Sequence, residues 1–155
     1  MLHWSANRDY TSIIRLLLTH NAFTEAKDWF GETPLHIAAS RGLKVAAKLL
    51  LDNGANINSK CYSDNTPLHK AAQNGNETVV KLLLDRGADI QAKNKEGKTP
   101  LHYAVSARKG RVVKLLLTRG ANAHVKDNQG HTPLHIAKSE GQKEIVELLL
   151  QRHRS

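Results

Sequence analysis

The chain has 155 residues, of which 40% are hydrophobic and only 5% aromatic, and its formal net charge is +9. This length suits one domain, and the scarcity of aromatic residues predicts an aliphatic core typical of helical proteins. No stretch approaches the ~18 apolar residues of a membrane helix, and the N-terminus lacks the apolar segment of a signal peptide. Because its single cysteine excludes an internal disulfide, we expect a cytoplasmic or nuclear protein.

The motif Thr-Pro-Leu-His recurs every 33 residues, and a Leu-Leu-Leu triplet follows it in the same register. A fixed period of this size is typical of repeat architectures. The copies of the motif begin at Thr33, Thr66, Thr99 and Thr132, and the triplets begin at Leu16, Leu49, Leu82, Leu115 and Leu148. We therefore divide a single domain, residues 1–155, into a partial unit 1–27 and the units 28–60, 61–93, 94–126 and 127–155.

The sequence of each unit predicts two helices. Threonine suits the N-cap and proline the first helical position, so a first helix begins at Pro34 and its equivalents. It contains small residues and should end near Gly42 and its equivalents Gly75 and Gly141. The leucine triplet gives a second helix its apolar face, and polar turn formers between helix pairs predict a projecting turn, called here a finger. Because one pair cannot bury its apolar face, stacked copies form an all-α solenoid with one core.

The Thr-Pro-Leu-His-x-Ala motif, the 33-residue period and the Leu-Leu-Leu-x-x-Gly-Ala ending resemble ankyrin repeats over essentially the whole chain. The resemblance implies two antiparallel helices and a β-turn finger per repeat, in about five repeats of which the first is truncated. It implies a slightly curved solenoid that binds proteins through the fingers and first helices of its concave face. It also implies that the motif histidines bond to the neighbouring turn, and that Asn58 lies where ankyrin repeats can be hydroxylated.

Three departures from the repeat predict local differences. Cys61 and Asp64 stand where the second unit has aspartate and glycine, so we expect a different turn in that finger. Arg108 replaces the glycine that ends the first helix, which predicts a reshaped turn between the two helices of the fourth unit. In the last unit, Lys138 and Glu147 replace an alanine and a lysine, which predicts a polar end surface.

The residues for metal or catalytic chemistry are present but lack the required spacing. The histidines at one repeat position are spread one per layer, and the others lack the short paired spacing of a zinc site. No nucleophile elbow, phosphate loop or paired-carboxylate motif occurs, and no motif links Cys61 to a base. We therefore expect no metal, no cofactor and no enzymatic activity. The repeat-position histidines are His3, His36, His69, His102 and His135.

Aromatic residues at the fingertips are the main candidates for partner recognition. Trp29, Phe30 and Tyr62 fall where small polar residues are usual, and Trp and Tyr are enriched at binding hot spots. A second interpretation is that Trp29 or Phe30 folds back to cover the truncated first unit. Other finger and first-helix positions complete the predicted protein-binding surface: Arg8, Glu32, Ser40, Arg41, Asn65, Gln73 and Asn74, and more weakly Lys95, Lys98, Gln129 and His131.

The positive charge is concentrated in residues 78–155, which carry 15 Lys/Arg against 7 Asp/Glu, compared with 8 against 7 in residues 1–77. In a solenoid, basic residues that share a repeat position line up as a stripe. The stripe has two interpretations, a solvated outer face or an electrostatic site for nucleic acid or anionic lipid. A nucleic-acid groove needs aromatic platforms among the charges, whereas the finger aromatics lie in the other half. The stripe comprises Lys81, Arg86, Arg108, Lys109, Arg111, Lys114, Arg119 and Arg152.

Three functional hypotheses follow. The leading one is a monomeric scaffold or adaptor that binds a protein partner. The second is an electrostatic binder of nucleic acid or an acidic surface. The third is the regulatory arm of a larger enzyme, for which the truncated first unit is the sole support.

Overall fold

The computed structural model describes residue 2, residues 11–20 and residues 23–151. Nine helices have their bounds within these ranges, which contain no strand. In this part of the chain, no helix has both the length and the apolarity that crossing a membrane requires. The helices are α1 (Thr11–Thr19), α2 (Pro34–Arg41), α3 (Lys44–Asp52), α4 (Pro67–Asn74), α5 (Glu77–Asp85), α6 (Pro100–Ser106), α7 (Gly110–Thr118), α8 (Pro133–Ser139) and α9 (Lys143–Gln151).

The helices form two layers, as the repeat predicts. The first helices α2, α4, α6 and α8 pack on one another in chain order, and the second helices α1, α3, α5, α7 and α9 do the same. Among the described helices, extensive contacts thus occur within a unit and between adjacent units, which is the arrangement of a solenoid. The prediction of an all-α ankyrin solenoid is confirmed.

One continuous core runs through the stack. The motif leucine of three first helices and the middle leucine of four second-helix triplets are almost completely buried. Full burial of each such side chain contributes about 1.5–3 kcal/mol. Alanine pairs such as Ala38-Ala39 are also buried and allow adjacent first helices to approach closely. The core leucines are Leu35, Leu68 and Leu101 in the first helices and Leu50, Leu83, Leu116 and Leu149 in the second.

Buried histidines join each first helix to the next finger. The amide N–H of Thr33 donates to His36 Nδ1 at 3.1 Å, so that nitrogen is the acceptor and Nε2 carries the proton. His36 Nε2 then donates to the carbonyl of Asn65, one unit further on, at 2.9 Å. Two further units repeat the bond: His69 donates to the carbonyl of Lys98 at 3.0 Å, and His102 to that of His131 at 3.1 Å. The structural role that the resemblance implies is therefore confirmed for these three histidines, while His3 lies outside the described residues.

The two predictions of altered turn geometry are wrong. Asp64 adopts the left-handed conformation (φ 62°) that Gly31 adopts (φ 75°) in the preceding finger, and its amide donates to the carbonyl of Cys61 as Gly31 donates to that of Asp28. Arg108 has φ 58°, close to the value at Gly42 (φ 72°). Both turns keep their geometry because the backbone hydrogen bonds and the packing of adjacent units require it, at a cost of about 1–2 kcal/mol for a non-glycine residue.

The last unit presents polar side chains as expected. Lys138 on α8 and Glu147 on α9 are both exposed. His135 is exposed too, unlike its buried equivalents in the preceding units. Its ring stacks on that of His131, with the ring centroids 4.6 Å apart and the planes 10° apart.

Acidification should weaken the stack through the buried histidines. Burial lowers the pKa of His69 to about 4, below the value of about 6.5 for an exposed imidazole. Because the unfolded chain binds more protons between these two values, the stabilisation is complete above about pH 6.5 and is lost as the pH falls toward 4. We expect His69 to account for roughly 2 kcal/mol of lost unfolding free energy between about pH 7.5 and pH 5.

Urea denaturation of His69→Gln at both pH values measures this contribution, since glutamine can replace the hydrogen bonds but does not titrate. Its pH-dependent loss should be smaller than that of the unchanged protein. The exposed equivalent His135→Gln is the matched control and should retain the full loss. An unchanged pH dependence in His69→Gln would contradict the role assigned to this imidazole.

Glycine at position 108 should relieve backbone strain. Arg108→Gly is expected to raise the unfolding free energy by up to about 1 kcal/mol, because glycine adopts positive φ without a steric penalty. Arg108→Ala removes the same side chain but keeps a Cβ, so it should be less stable than Arg108→Gly. Urea midpoints measure the order, and equal midpoints for the two variants would show that no strain resides there.

Candidate partner-binding surface

Three aromatic side chains project from two neighbouring fingers. Trp29 is 95% exposed, Phe30 is 72% exposed and Tyr62 is 61% exposed. The Trp29 and Phe30 rings therefore stand in solvent and do not fold back over the first unit, so the second interpretation of these residues is wrong. Large apolar side chains exposed together are characteristic of interaction sites.

Hydrogen bonds hold the fingers that carry these aromatics. Asp28 Oδ1 accepts the amide N–H groups of Phe30 and Glu32, each at 2.9 Å. The amide of Tyr62 donates to the carbonyl of Phe30 at 3.1 Å, which links the two fingers. The Tyr62 ring lies directly over Gly31, where an added Cβ would come within 2.6 Å of the ring. The apolar patch therefore has a fixed backbone, which reduces the entropy lost on binding.

The fingers of successive units are joined in the same way. Lys95 donates its amide to the carbonyl of Ser63 at 3.1 Å, and Asn128 donates to that of Glu96 at 2.9 Å. Within the finger of the fourth unit, Asn94 Oδ1 takes the place of the Asp28 carboxylate and accepts two amide N–H groups. The fingers thus form a continuous strip along one edge of the first-helix layer.

Four of the predicted surface residues lie at the C-terminal ends of the first helices α2 and α4. Arg41, Gln73 and Asn74 are exposed, whereas Ser40 is half-buried. The Asn74 amide donates to the carbonyl of Lys70 at 2.9 Å and to Ser40 Oγ at 3.3 Å. These groups are therefore positioned across the boundary between the second and third units.

Glu32 is engaged within the chain. Its carboxylate forms an ion pair with Lys70 Nζ, and both side chains are largely covered. The pair ties the finger of the second unit to the first helix of the third. Glu32 accordingly contributes to the stack, and a partner that bound it would compete with Lys70.

Asn65 corrects the predicted surface. Its side chain is only 8% exposed, its Oδ1 accepts from Asn94 Nδ2 at 3.0 Å and its Nδ2 donates to Ser63 Oγ at 3.0 Å. The prediction that Asn65 lies on the binding surface is therefore wrong. The finger turns Asn65 inward because it supplies the oxygen that satisfies the buried amide of the next finger.

The more weakly predicted positions of the fourth and fifth units differ in exposure. Lys95 and Gln129 are exposed, and His131 and Lys98 are half-buried. A hydrogen bond from the Lys98 ammonium to Glu96 raises the pKa of Lys98. This ion pair leaves Lys98 less available to an anionic partner than Lys95.

A cleft of about 180 Å³ opens between α4 and α6, lined by Gln73, Lys98, Tyr103, Ser106 and Ala107. Tyr103 was not among the predicted residues. The signal for it was an aromatic ring at the first-helix position where the other units carry Ile37, Lys70 and Ile136. Its hydroxyl accepts from Asn94 Nδ2 at 3.0 Å, which fixes the ring as one wall of the cleft.

Two arginines of the predicted basic stripe are paired with carboxylates. Arg86 pairs with Asp52 at 2.9 Å, and Arg119 pairs with Asp85 at 2.7 Å in the next unit. Lys48 and Arg86 together lower the pKa of Asp52. These ion pairs join successive second helices, which is a stacking role. They leave less positive charge for an external partner than the sequence suggests.

The other stripe residues are less uniform. Arg108 donates to the carbonyl of Glu140 at 3.2 Å, and the aliphatic part of Lys109 lies close to Gly75. Lys81, Arg111 and Lys114 are exposed. The predicted positions Arg8 and Arg152 lie outside the described residues.

The side chains that could bind a metal ion or act as nucleophiles are spread over the described structure. Among the described residues, no group of three His, Cys, Asp or Glu side chains could hold a metal ion. Cys61 is buried, with its Sγ 3.1 Å from Ser63 Oγ. Asn58 is exposed, and its Oδ1 accepts the amide N–H of Asp89 at 2.9 Å, so this side chain links two units.

Replacing Asn65 should lower stability. Asn65→Ala leaves the amide of Asn94 with one acceptor fewer in a buried environment, so we expect about 1–3 kcal/mol of lost unfolding free energy. The exposed Asn74→Ala should cost no more than about 0.5 kcal/mol. Chemical denaturation compares the two, and equal small effects would mean that the Asn65 network does not stabilise the stack.

Comparison with known proteins identifies a family and a relative. A family model described as ankyrin repeats in three copies matches residues 2–94 and again residues 68–155. An ankyrin repeat protein of Rickettsia bellii (strain RML369-C) is 51% identical over 35 residues, a segment that covers 23% of this chain and 15% of that protein. Because the two family matches together extend over nearly the whole chain, this chain belongs to the ankyrin repeat family.

Proposed function

We propose that this chain is a non-enzymatic scaffold or adaptor that binds a protein partner through its fingers and first helices. Ankyrin repeats generally mediate protein–protein interaction. The observation that carries the proposal is the exposure of Trp29, Phe30 and Tyr62 on two hydrogen-bonded fingers. Burial of such rings against a partner contributes large contact area at little entropic cost.

The polar groups beside the aromatics would supply selectivity. Arg41, Gln73 and Asn74 lie at the ends of α2 and α4, within the same layer as the fingers. The cleft beside Tyr103 is large enough to accept one side chain of the partner. Binding of this kind needs no cofactor, and we propose that the chain acts as a monomer in the cytoplasm or nucleus, where the free thiol of Cys61 stays reduced.

The basic stripe supports the electrostatic alternative less well. Arg86 and Arg119 are paired with carboxylates of the preceding units. The rings of Trp29, Phe30 and Tyr62 lie on the fingers, whereas the exposed stripe residues Lys81, Arg111 and Lys114 lie on second helices. The interpretation as a solvated face accounts both for these paired arginines and for the exposed Lys81, Arg111 and Lys114.

Truncation of the aromatic anchors tests the proposal. Trp29→Ala and Tyr62→Ala should each weaken binding of a partner isolated by affinity capture by about thirtyfold, which corresponds to roughly 2 kcal/mol at an interface hot spot. Isothermal titration of the purified pair measures the affinity. The thermal midpoint should not change for Trp29→Ala, because its ring is exposed.

Val45→Ala is the matched control, since Val45 is 52% exposed but lies on the second helix α3. It should leave the affinity within about twofold. If both aromatic variants bind the partner as tightly as the unchanged chain, the fingers are not the anchor. A loss that is equal in Val45→Ala would instead place the partner on the second helices.

A further inference from the structure

Four lysines occupy one repeat position, the residue immediately before each finger. All four side chains are exposed. Because equivalent residues of stacked units lie one layer apart, they form a line along the finger edge, called here the lysine row. Lys27 Nζ donates to the carbonyl of Lys60 at 3.0 Å, and Lys93 Nζ to that of Lys126 at 3.5 Å. The lysine row comprises Lys27, Lys60, Lys93 and Lys126.

The charge of the lysine row is not balanced by carboxylates. Whereas the arginines on the second-helix side are paired with Asp52 and Asp85, no ion pair among the described residues includes a lysine of the row. The residue after each lysine is aspartate in the second and fifth units but Cys61 and Asn94 in the two between them. The two middle lysines, Lys60 and Lys93, therefore lack the aspartate that follows the outer two, and an anionic partner would supply the missing negative charge.

We propose that the lysine row binds an acidic, extended segment of the partner, an inference that rests on the proposed function. Packed helices lie about 8–10 Å apart, which sets the spacing of the lysine row. A polyproline II segment has three residues per turn and advances about 3.1 Å per residue, so every third side chain returns to the same face about 9 Å further on. Acidic residues at every third position would thus meet successive lysines.

Acidic segments in other conformations, and single-stranded nucleic acid, match the lysine row less well. In an α-helix, the nearest residues on one face are about 5–6 Å apart, and in a β-strand alternate residues are about 7 Å apart. A single-stranded nucleic acid needs aromatic platforms along its path. Within the described fingers, exposed aromatics occur only in the second and third units, while the other two fingers present Lys95, Glu96, Asn128 and Gln129.

A peptide of repeated Glu-Pro-Pro units, about twelve residues long and labelled with fluorescein, tests the match of spacing. Anisotropy titrations use the full chain at low salt. The peptide should bind about tenfold more tightly than a control peptide of identical composition whose glutamates are contiguous. Lys60→Gln combined with Lys93→Gln should lower its affinity about tenfold, since each exposed ion pair contributes a small amount.

Lys81→Gln combined with Lys114→Gln is the matched control, because both lysines are exposed on second helices and the net charge changes equally. It should leave the affinity within about twofold. Thermal melting of both double variants verifies that they are folded. Equal binding of the two peptides, or equal losses in the two double variants, would overturn the proposal in favour of attraction by the net charge.

Binding of nucleic acid by the lysine row is the remaining alternative that the experiments must distinguish. An oligothymidylate that displaces the Glu-Pro-Pro peptide, binds more tightly and loses affinity in the Lys60/Lys93 variant would also overturn the proposal. The peptide contains no aromatic residue, so its binding does not depend on Trp29 or Tyr62. If the peptide fails while Trp29→Ala still weakens the partner complex, the lysine row proposal fails and the proposed function stands.

Discussion

A hydrogen bond between a buried imidazole and the backbone carbonyl of the next finger recurs through the stack. His36, His69 and His102 each accept an amide N–H of their own unit at Nδ1 and donate from Nε2 to the following unit. The bond has a direction, so it sets where each finger lies relative to the helix beneath it. The fingers owe their rigid positions to this bond and to the amide bonds between neighbouring fingertips.

The rigid backbone explains why unusual residues are accommodated without a change of shape. Asp64 and Arg108 keep the left-handed conformation that glycine adopts in the other units. The local preference of one residue, about 1–2 kcal/mol, is small beside the core contacts and hydrogen bonds that each unit forms with its neighbours. Side chains on the fingers can therefore vary in chemistry while the scaffold stays constant, which suits a family that binds proteins.

The charged side chains form two groups. One group forms ion pairs between units and stabilises the stack, and the other faces outward. The arginines Arg86 and Arg119 each reach back one unit to a carboxylate, and Lys70 reaches back to Glu32. These ion pairs form between residues of this chain, although their side chains lie at its surface. On the finger edge the outward-facing features are the aromatic fingertips and the lysine row, whereas Lys81, Arg111 and Lys114 face outward on the second helices. A partner that engages this edge would meet apolar rings at one end and positive charge along the whole line.

The amino-acid sequence by itself determined the 33-residue period, the helix start at each motif proline and, in most units, the burial of the motif leucine and of the middle leucine of the triplet. These features depend on residues a few positions apart, repeated so often that chance cannot produce them. Only the tertiary structure decided that Asn65 points inward, that Arg108 leaves its turn unchanged and that Asp52 pairs with Arg86. Each of those outcomes depends on contacts with the adjacent unit, which lies about one repeat away along the chain. Helix packing sets the geometry of these contacts and leaves no local pattern in the sequence.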